Sequence, residues 1–461
     1  MALYYHELAV PDADGLVFGS APTPLTTRRG LVIGGGELYP ELNFTLPAMS
    51  INDSTWPEIE RQYREIAADA LRRAVELHAP GVVLECETLP DMTQRPERVA
   101  SLCRILVDAL DDAHERDGLR CALRMTPNDN REMVRPPLMR SGANWESMVE
   151  AFELCAEGGA DLLAIESTGG KEVHDEALTM CDLPAVIFSL CVLGVRDMRF
   201  LWDRIVGIAR SHGVHPAGDT ACGFGNTAMV LAEQGMIPHV FAAVVRVVSA
   251  VRSLVAYECG AVGPGKDCGY ENPILKAITG LPMSMEGKTA ACAHSSPLGN
   301  IAAATCDLWS NESVQNIRLL GGMAPTVYME QLIYDCRLMN RAAADGPTAA
   351  LQLRDWLVDS DAALDPQAYV LAPENVIRFA EAIVAAGDHY SAGREVALLA
   401  MRMLSDGAAA GQIAIPEREL PWLARMRSSV EELPEDETEF IERMMASVDT
   451  ARFRAQDYDL A

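Results

Sequence analysis

Apolar and amphipathic stretches alternate along most of the chain, and the alternation becomes regular from about residue 57. Segments with an apolar residue every three to four positions predict helices, and they lead repeatedly into short continuous apolar runs, which predict buried strands. The helix predicted over residues 56–79, for example, leads into the strand GVVLECET at residues 81–88. This alternation is typical of a parallel sheet that is buried on both faces.

Eight strands are predicted in this way, each preceded by a helix, and the last is followed by a helix over residues 326–344. The predicted strands cover residues 81–88, 119–127, 161–167, 184–191, 214–223, 254–269, 288–297 and 314–322. Eight helix–strand units in roughly 260 residues fit a (β/α)8 barrel better than an open doubly wound sheet. An open sheet would more often carry a glycine-rich phosphate-binding turn after its first strand, where this chain reads ECETLPDM.

The pattern divides the chain into an N-terminal extension (1–56), a barrel (57–345) and a helical C-terminal segment (346–461). The extension is rich in Gly and Pro, and its stretch RGLVIGGGELYPELNFTLP predicts a hairpin followed by an extended segment. After about residue 348 the strand patterns stop, and the remaining apolar periodicity predicts helices. We therefore expect an α/β fold, a (β/α)8 TIM barrel with an N-terminal extension and a C-terminal helical appendage.

The composition narrows the classes of partner. The net charge is -28 and no Lys/Arg cluster stands out, which argues against nucleic acid or an anionic membrane as the main partner. The first residues show no secretion signal, and the longest apolar runs are interrupted by charge, so we expect a cytoplasmic protein without a membrane span. Twelve cysteines without a CxxC pair then predict buried thiols rather than a disulfide framework.

The candidate chemistry lies at the strand ends, because a barrel of this kind collects its functional residues at the C-terminal ends of its strands. The third, fifth and sixth predicted strands end in Glu166, Cys222 and Cys268. Two thiolates and a carboxylate can bind Zn²⁺ tetrahedrally and leave a fourth position open for water or substrate. On spacing alone, Glu166 can equally be a capping carboxylate and the two cysteines incidental.

Five further strand-end residues are candidates for supporting roles. Glu85, Glu87 and His294 are candidates for proton transfer, although a structural hydrogen-bonding role fits His294 as well. Asp219 and Asp267 could support the metal ligands, and a turn or capping role fits them equally.

Several long segments resemble one known family. They are RGLVIGGGELYPELNFTLP, IESTGGKEVHDEAL, GDTACGFGNTAMVLAEQ, GPGKDCGYENPILKAITG and MEGKTAACAHSSPLGNIAAA, which together run from about residue 28 to 305. The family is that of the zinc-dependent methanol:corrinoid methyltransferases, the subunit that activates methanol for a partner corrinoid protein. The resemblance implies a (β/α)8 barrel in which Glu166, Cys222 and Cys268 are the zinc ligands, the same set reached from the strand ends.

The resemblance also implies a mechanism. Zinc would act as a Lewis acid on the methanol oxygen, and the nucleophile would be the Co(I) centre of a corrinoid held by the partner protein over the barrel mouth. Three negative ligands reduce the Lewis acidity of zinc, so a proton donor among Glu85, Glu87 and His294 would matter. This chain has no DxHxxG segment, so we expect the partner to carry the corrinoid. We also expect a homodimer within a larger complex with the corrinoid subunit.

The sequence leaves open three other hypotheses about the function. The first is a zinc methyltransferase of the same architecture that acts on a methoxy compound, a methyl thiol or another small alcohol. The second is a non-catalytic relative that only binds the corrinoid protein, although a scaffold has no need of a metal with an open position. The third is a zinc hydrolase, which is disfavoured because such barrels usually use histidine-rich ligand sets.

Overall fold

A curled parallel sheet forms the centre of the fold in the computed structural model, which describes residues 1–45, 49–287, 296–314 and 318–460. The strands are β1 (Ser20–Thr26), β2 (Val32–Gly35), β3 (Tyr39–Thr45), β4 (Val82–Glu87), β5 (Cys121–Thr126), β6 (Leu162–Ala164), β7 (His215–Gly218), β8 (Ser284–Glu286), β9 (Leu308–Val314), β10 (Arg318–Leu319) and β11 (Gly322–Met323). Seven of them are hydrogen-bonded in the order β7-β6-β5-β4-β3-β9-β8, and every pairing in this sheet is parallel.

An irregular segment, residues 262–267, lies between the two edge strands β7 and β8 and closes the ring. On one side, the Val262 amide donates to the Pro216 carbonyl at 2.8 Å. On the other side, Gly265 forms a parallel bridge with Met283, and the Ser284 amide donates to the Gly265 carbonyl at 3.2 Å. The ring therefore has eight members, as the sequence predicts, and the expected (β/α)8 class is confirmed.

One predicted barrel strand is wrong, and another strand takes its place in the ring. The apolar run at residues 184–191, predicted as a strand, is helical, because it lies in the helix Leu183–Ile187 and the π-helical segment Phe188–Gly194 that follows. Every residue of the π-helical segment is buried, and an apolar run buried on all sides has no periodicity that separates helix from strand. The strand that replaces it in the ring is β3, which the sequence pattern assigns to the N-terminal extension.

The remaining differences concern strand positions. The prediction at residues 254–269 begins inside a helix that ends at Glu258, and only its second half is extended. The prediction at residues 288–297 falls almost wholly outside the described residues, and the strand found nearby is β8. The eighth barrel strand is β9 rather than residues 314–322, where a short hairpin of β10 and β11 follows. The domain limits at residues 56 and 345 stay predictions.

Helices cover the outside of the ring and continue through the C-terminal segment, as predicted. They are α1 (Trp56–Glu76), α2 (Pro90–Thr93), α3 (Pro96–Asp117), α4 (Ala143–Glu157), α5 (Lys171–Met180), α6 (Leu183–Ile187), α7 (Val195–His212), α8 (Thr227–Glu233), α9 (His239–Glu258), α10 (Asn272–Thr279), α11 (Gly299–Ala303), α12 (Ala324–Ala344), α13 (Pro347–Asp361), α14 (Pro366–Leu371), α15 (Pro373–Ala385), α16 (His389–Ala409), α17 (Leu420–Glu431) and α18 (Glu437–Met445).

The inward-facing side chains of the strands form layers along the barrel. Apolar side chains fill the layer at the strand starts, where the β1–β2 hairpin adds Leu25, Leu31 and Ile33 to the same core cluster. In the layer above, Arg124 of β5 donates to Glu41 of β3 at 2.7 Å, and both side chains are completely buried. The barrel is therefore filled by side chains at the strand starts, and the candidate functional residues lie at the opposite end.

Among the described helices, α9 alone is long and apolar enough to cross a membrane. Its whole apolar window is buried inside the fold, where it packs against α7, α14 and α16. Its composition is that of a central helix enclosed by other helices.

Candidate metal centre

Glu166, Cys222 and Cys268 meet at the mouth of the barrel, at the C-terminal ends of neighbouring ring members. Glu166 comes two residues after β6, and Cys222 opens a π-helical turn, Cys222–Asn226, four residues after β7. Cys268 directly follows the ring-closing segment. One ligand atom from each residue lies within 4.8 Å of the other two. The structure thus brings together the three residues whose positions at strand ends predicted that they would converge.

The two thiols and the carboxylate touch one another directly. The Cys268 Sγ lies 2.7 Å from the Glu166 Oε1, and both groups sit largely out of solvent. A hydrogen bond with Cys268 lowers the pKa of Cys222, but burial and the carboxylates of Glu166 and Glu286 outweigh it and raise that pKa to about 11. Burial is also the main cause that raises the pKa of Cys268 well above its usual value. Without a cation at this point, both sulfurs are therefore held as thiols.

This donor set fits a zinc ion. Thiolate sulfur and carboxylate oxygen are typical zinc donors, and three protein ligands leave a position for a further molecule. Because the pKa values of both thiols are raised, binding of a divalent ion here would release protons and should strengthen as the pH rises.

A buried lysine stands beside the three candidate ligands. The Lys266 Nζ lies 3.4 Å from Glu166 and 3.9 Å from the Cys268 sulfur, and its ammonium also contacts Asp267. Burial alone would lower the pKa of Lys266, but Asp267, Cys268 and Glu85 raise it well above its usual value. Lys266 is therefore a permanent positive charge in the wall of the site.

Glu85 and Glu87 both lie in this wall, as expected for inward residues of β4. The Lys266 Nζ is 3.1 Å from Glu85 and 3.5 Å from Glu87, so the two carboxyl groups share one cation. The Glu85 side chain is completely buried and accepts a hydrogen bond from Thr126 at 2.7 Å, whereas 22% of the Glu87 side chain is exposed. Burial, followed by the charge of Glu166, raises the pKa of Glu87 to about 7. His294 lies outside the described residues.

Asp219 connects the segment that carries Glu166 to the segment that carries Cys222. Its carboxylate accepts hydrogen bonds from the Ser167 amide at 3.0 Å and the Ser167 hydroxyl at 2.6 Å. The same carboxylate accepts from the indole of Trp202 at 2.8 Å, which fixes its orientation. The supporting role that the sequence left open for Asp219 is thus a direct bond across two neighbouring loops.

Asp267 fixes the ring-closing segment in the same way. Its carboxylate accepts from the Asn43 amide nitrogen at 3.2 Å, from the Ser310 hydroxyl at 2.7 Å and from the Cys268 backbone amide at 2.9 Å. Burial would raise the pKa of Asp267, but Lys266, the Ser310 hydroxyl and the charge of Arg124 lower it to about 2. An ionised carboxylate thus holds the backbone of Cys268 against β3 and β9.

The turn that carries Cys222 is supported by two buried arginines of α9. The Arg252 guanidinium lies 4.4 Å from the centre of the Phe224 ring and donates to the Ser167 carbonyl at 2.9 Å. Arg246 packs so closely on Gly225 that a Cβ there would come within 2.5 Å of its guanidinium. The glycine in CGFGN is thus needed for this close approach.

Asn226 completes the geometry of the turn. Its amide nitrogen lies 3.4 Å from the Cys222 sulfur and donates to the Cys268 carbonyl at 3.0 Å. One side chain therefore holds the two cysteine segments together. Sequence reasoning missed Asn226 and Lys266, although both lie inside quoted strand-end motifs and both carry polar groups there.

Comparison with known proteins gives the family. The family model described as methanol-cobalamin methyltransferase B subunit matches residues 2–459. A methanol–corrinoid protein co-methyltransferase of Methanosarcina barkeri is 40% identical over 442 residues, which cover 95% of either chain. In the crystal structure of the methanol:cobalamin methyltransferase complex MtaBC from Methanosarcina barkeri, one chain matches with a TM-score of 0.93, 38% identity and 99% of both chains covered. The chain belongs to the methanol-cobalamin methyltransferase B subunit family.

Proposed function

We propose that this chain transfers the methyl group of methanol to the Co(I) centre of a partner corrinoid protein, with zinc held by Glu166, Cys222 and Cys268. The observation that carries the proposal is the convergence of two thiols and one carboxylate within 4.8 Å at the mouth of a barrel of this family. The names of the matched relatives, which mention methanol, corrinoid and cobalamin, support the choice of substrate and acceptor.

The zinc ion would supply Lewis acidity, which stabilises the negative charge that develops on the methanol oxygen as the bond to carbon breaks. The chain's own residues orient the ligands for this purpose. Asp219 ties the Glu166 loop to the Cys222 loop through Ser167, while Asn226 joins the Cys222 turn to the backbone of Cys268. Such bonds fix the ligand atoms before the ion binds, which strengthens binding and sets the geometry.

Glu87 is the proton donor in this proposal. With a pKa of about 7, its carboxyl group keeps a substantial protonated fraction near neutral pH and can give that proton to the leaving oxygen. The methyl group then goes to Co(I), and the oxygen leaves as water. Burial also raises the pKa of Glu85 well above its usual value, but Glu85 is less suitable because its carboxyl group is bonded to Thr126 and has no exposed surface through which to regain a proton. A role for His294 stays a prediction.

The corrinoid protein would dock over the barrel mouth, since the candidate ligands lie there and the opposite end of the barrel is filled by side chains. The chain itself would hold zinc and methanol, and the partner would bring the corrinoid. The expected homodimer within this complex stays a prediction, which light scattering of the purified chain, alone and with its partner, would check.

The proposal is tested by metal analysis combined with a methyl-transfer assay. Purified protein is mixed with a Co(I) corrinoid protein and a panel of methyl donors, and methyl–cobalt formation is followed by absorbance. We expect about one zinc per chain at this site and methylation that depends on methanol. Cys222→Ser and Cys268→Ser should each remove the zinc and the activity, because each substitution removes a thiolate, which is a strong donor to zinc.

Cys181→Ser is the matched control, because Cys181 is a partly exposed free thiol at the end of α5, outside the candidate site. It should retain zinc and activity. Zinc bound unchanged in both site variants would contradict the ligand assignment. Equal rates with methoxy compounds, thiols or other alcohols would contradict the choice of methanol, and zinc without any methyl transfer would favour a binding role.

A further inference from the structure

A second group of metal-ligating side chains lies outside the barrel, where the barrel helices meet the C-terminal helices. Glu233 is the last residue of α8, His239 is the first residue of α9, and Asp365 precedes α14. Their ligand atoms all lie within 4.8 Å of one another, and we call them the helix-junction cluster. It shares no residue with the candidate site at the mouth.

The spacing of the helix-junction cluster fits a small cation. The His239 Nδ1 lies 3.0 Å from the Asp365 Oδ2 and 3.8 Å from the Glu233 Oε1. In a tetrahedral zinc site with bonds of about 2.0–2.1 Å, neighbouring ligand atoms are about 3.3–3.4 Å apart. The two measured distances lie on either side of that value, so small side-chain movements would bring the three ligand atoms to the spacing of a zinc site.

The hydrogen-bonding capacity of the cluster is not met by protein atoms. The His239 Nδ1 faces two carboxylates and can carry only one proton, which serves Asp365. The Glu233 Oε1 is buried and has no hydrogen-bond partner among the described residues. The other oxygen of Asp365 already accepts from the Gln367 amide at 2.7 Å, which holds this carboxylate in place. A divalent cation in place of the His239 proton would bind all three side chains of the helix-junction cluster at once.

We propose that Glu233, His239 and Asp365 bind a second divalent cation of the zinc class, which joins the barrel helices to the C-terminal helices. One imidazole and two carboxylates suit Zn²⁺ or Co²⁺, and the two negative charges balance the charge of the ion. The ligands lie at the ends of three helices, so binding links the junction of α8 and α9 to the start of α14, which is far away along the chain. This site has no thiolate, which distinguishes it from the candidate site at the mouth.

The experiment is substitution with Co²⁺, because cobalt reports its ligands by absorbance. Metal-free protein is titrated with Co²⁺, and bound metal is counted after gel filtration. We expect about two cobalt ions per chain, of which only the one at the mouth gives the intense sulfur-to-metal absorption. Glu233→Gln and His239→Gln should each lose one ion and keep that absorption, whereas Cys222→Ser should lose the absorption and keep one ion.

His212→Gln is the matched control, since His212 faces a single carboxylate, that of Glu153 at 3.1 Å. It should keep both ions. Binding of one cobalt ion by the unaltered protein, with no change in Glu233→Gln, would overturn the proposal. A second ion that survives both Glu233→Gln and His239→Gln would lie elsewhere and would overturn it equally. Glu233→Gln is nearly isosteric, and melting curves with Co²⁺ or a chelator would verify that it folds.

Discussion

Single residues set the charge of the candidate site, and one ammonium group dominates it. Lys266 lies within 3.5 Å of Glu85, Glu87 and Glu166 and also contacts Asp267. Paired in this way, the lysine compensates part of the negative charge that gathers where two thiolates would hold a metal. Its place in the barrel wall follows from the irregular ring-closing segment, which carries it between β7 and β8.

Glu87→Gln is predicted to change the pH dependence of methyl transfer. The pKa of Glu87 is raised from 4.5 to about 7, so the protonated fraction, and with it proton donation, falls as the pH rises through about 7. The amide cannot donate this proton as an acid, so the rate should fall by about 10²-fold and the loss of activity above neutral pH should disappear. The measurement is the rate of methyl–cobalt formation between pH 6 and 8.5.

Glu97→Gln provides the control for this profile, because Glu97 is an exposed carboxylate in the first turn of α3. Its rate and its profile should match those of the unaltered protein. An alkaline limb that persists in Glu87→Gln would mean that another group donates the proton, with Glu85 and His294 as the next candidates.

The loop after β6 shows how whole elements position the site. The Thr168 amide donates to Asp129 at 2.9 Å, and the Gly170 amide donates to the Tyr458 hydroxyl at 3.0 Å. Asp457, beside that tyrosine, accepts from the Met139 amide at 3.0 Å. The last turn of the C-terminal segment thus fastens the loop that presents Glu166.

Tyr458→Phe is predicted to weaken zinc binding without unfolding the protein. The variant keeps the ring, which packs against Phe453, and removes only the hydroxyl that holds the Glu166 loop. A lost hydrogen bond of this kind is worth about 1 kcal/mol, so zinc affinity should fall by about fivefold. Competition with a chromogenic chelator measures the affinity, and thermal melting measures the stability.

Tyr390→Phe is the comparison for this variant, because the Tyr390 hydroxyl is also hydrogen-bonded to the backbone, donating to the Pro434 carbonyl, but lies outside the Glu166 loop. It should change stability to a similar extent and leave zinc affinity unaltered. Equal zinc affinity in all three proteins would show that the tail does not position the ligand loop.

The sequence predicts which residues converge at the mouth better than it predicts the elements around them. The convergence of Glu166, Cys222 and Cys268 could be predicted because parallel strands place their C-terminal ends at one edge, whatever the exact strand bounds. The segment of β3 was predicted only as an extended part of the N-terminal extension, not as a barrel strand, because its residues, YPELNFT, mix polar and apolar side chains and follow glycines. Its inward residues Glu41 and Asn43 are polar because they face the ion pair and the site rather than a core.

At the scale of the whole molecule, two exposed leucines lie in the segment that follows the C-terminal end of β9. The hairpin of β10 and β11 follows β9, and Leu320 at its tip is fully exposed next to the half-exposed Leu319. A contact with another protein would remove the side chains of these two leucines from water. If the corrinoid protein docks over the mouth, this hairpin lies at the edge of the interface.

Leu320→Asp is therefore predicted to weaken docking of the corrinoid protein. A charge at an apolar contact should raise the apparent Kd for the partner by about tenfold, which corresponds to about 1.4 kcal/mol. Zinc content should not change. Titration of the corrinoid protein in the methyl-transfer assay measures this constant.

Trp356→Asp is the control, because Trp356 is an exposed apolar residue on α13 in the C-terminal segment. It should leave the apparent Kd unchanged. An unaltered constant in Leu320→Asp would place the interface on another part of the mouth.

The filled end of the barrel has a kinetic consequence. Because Leu25, Leu31 and Ile33 close that end, and Glu41 with Arg124 blocks the layer above, small molecules have one route to the site among the described residues, through the mouth. A partner seated on the mouth would cover this route. Methanol would then have to enter before the partner arrives, and water would leave after it departs. A compulsory order of this kind makes excess corrinoid protein an inhibitor that traps the chain without its alcohol.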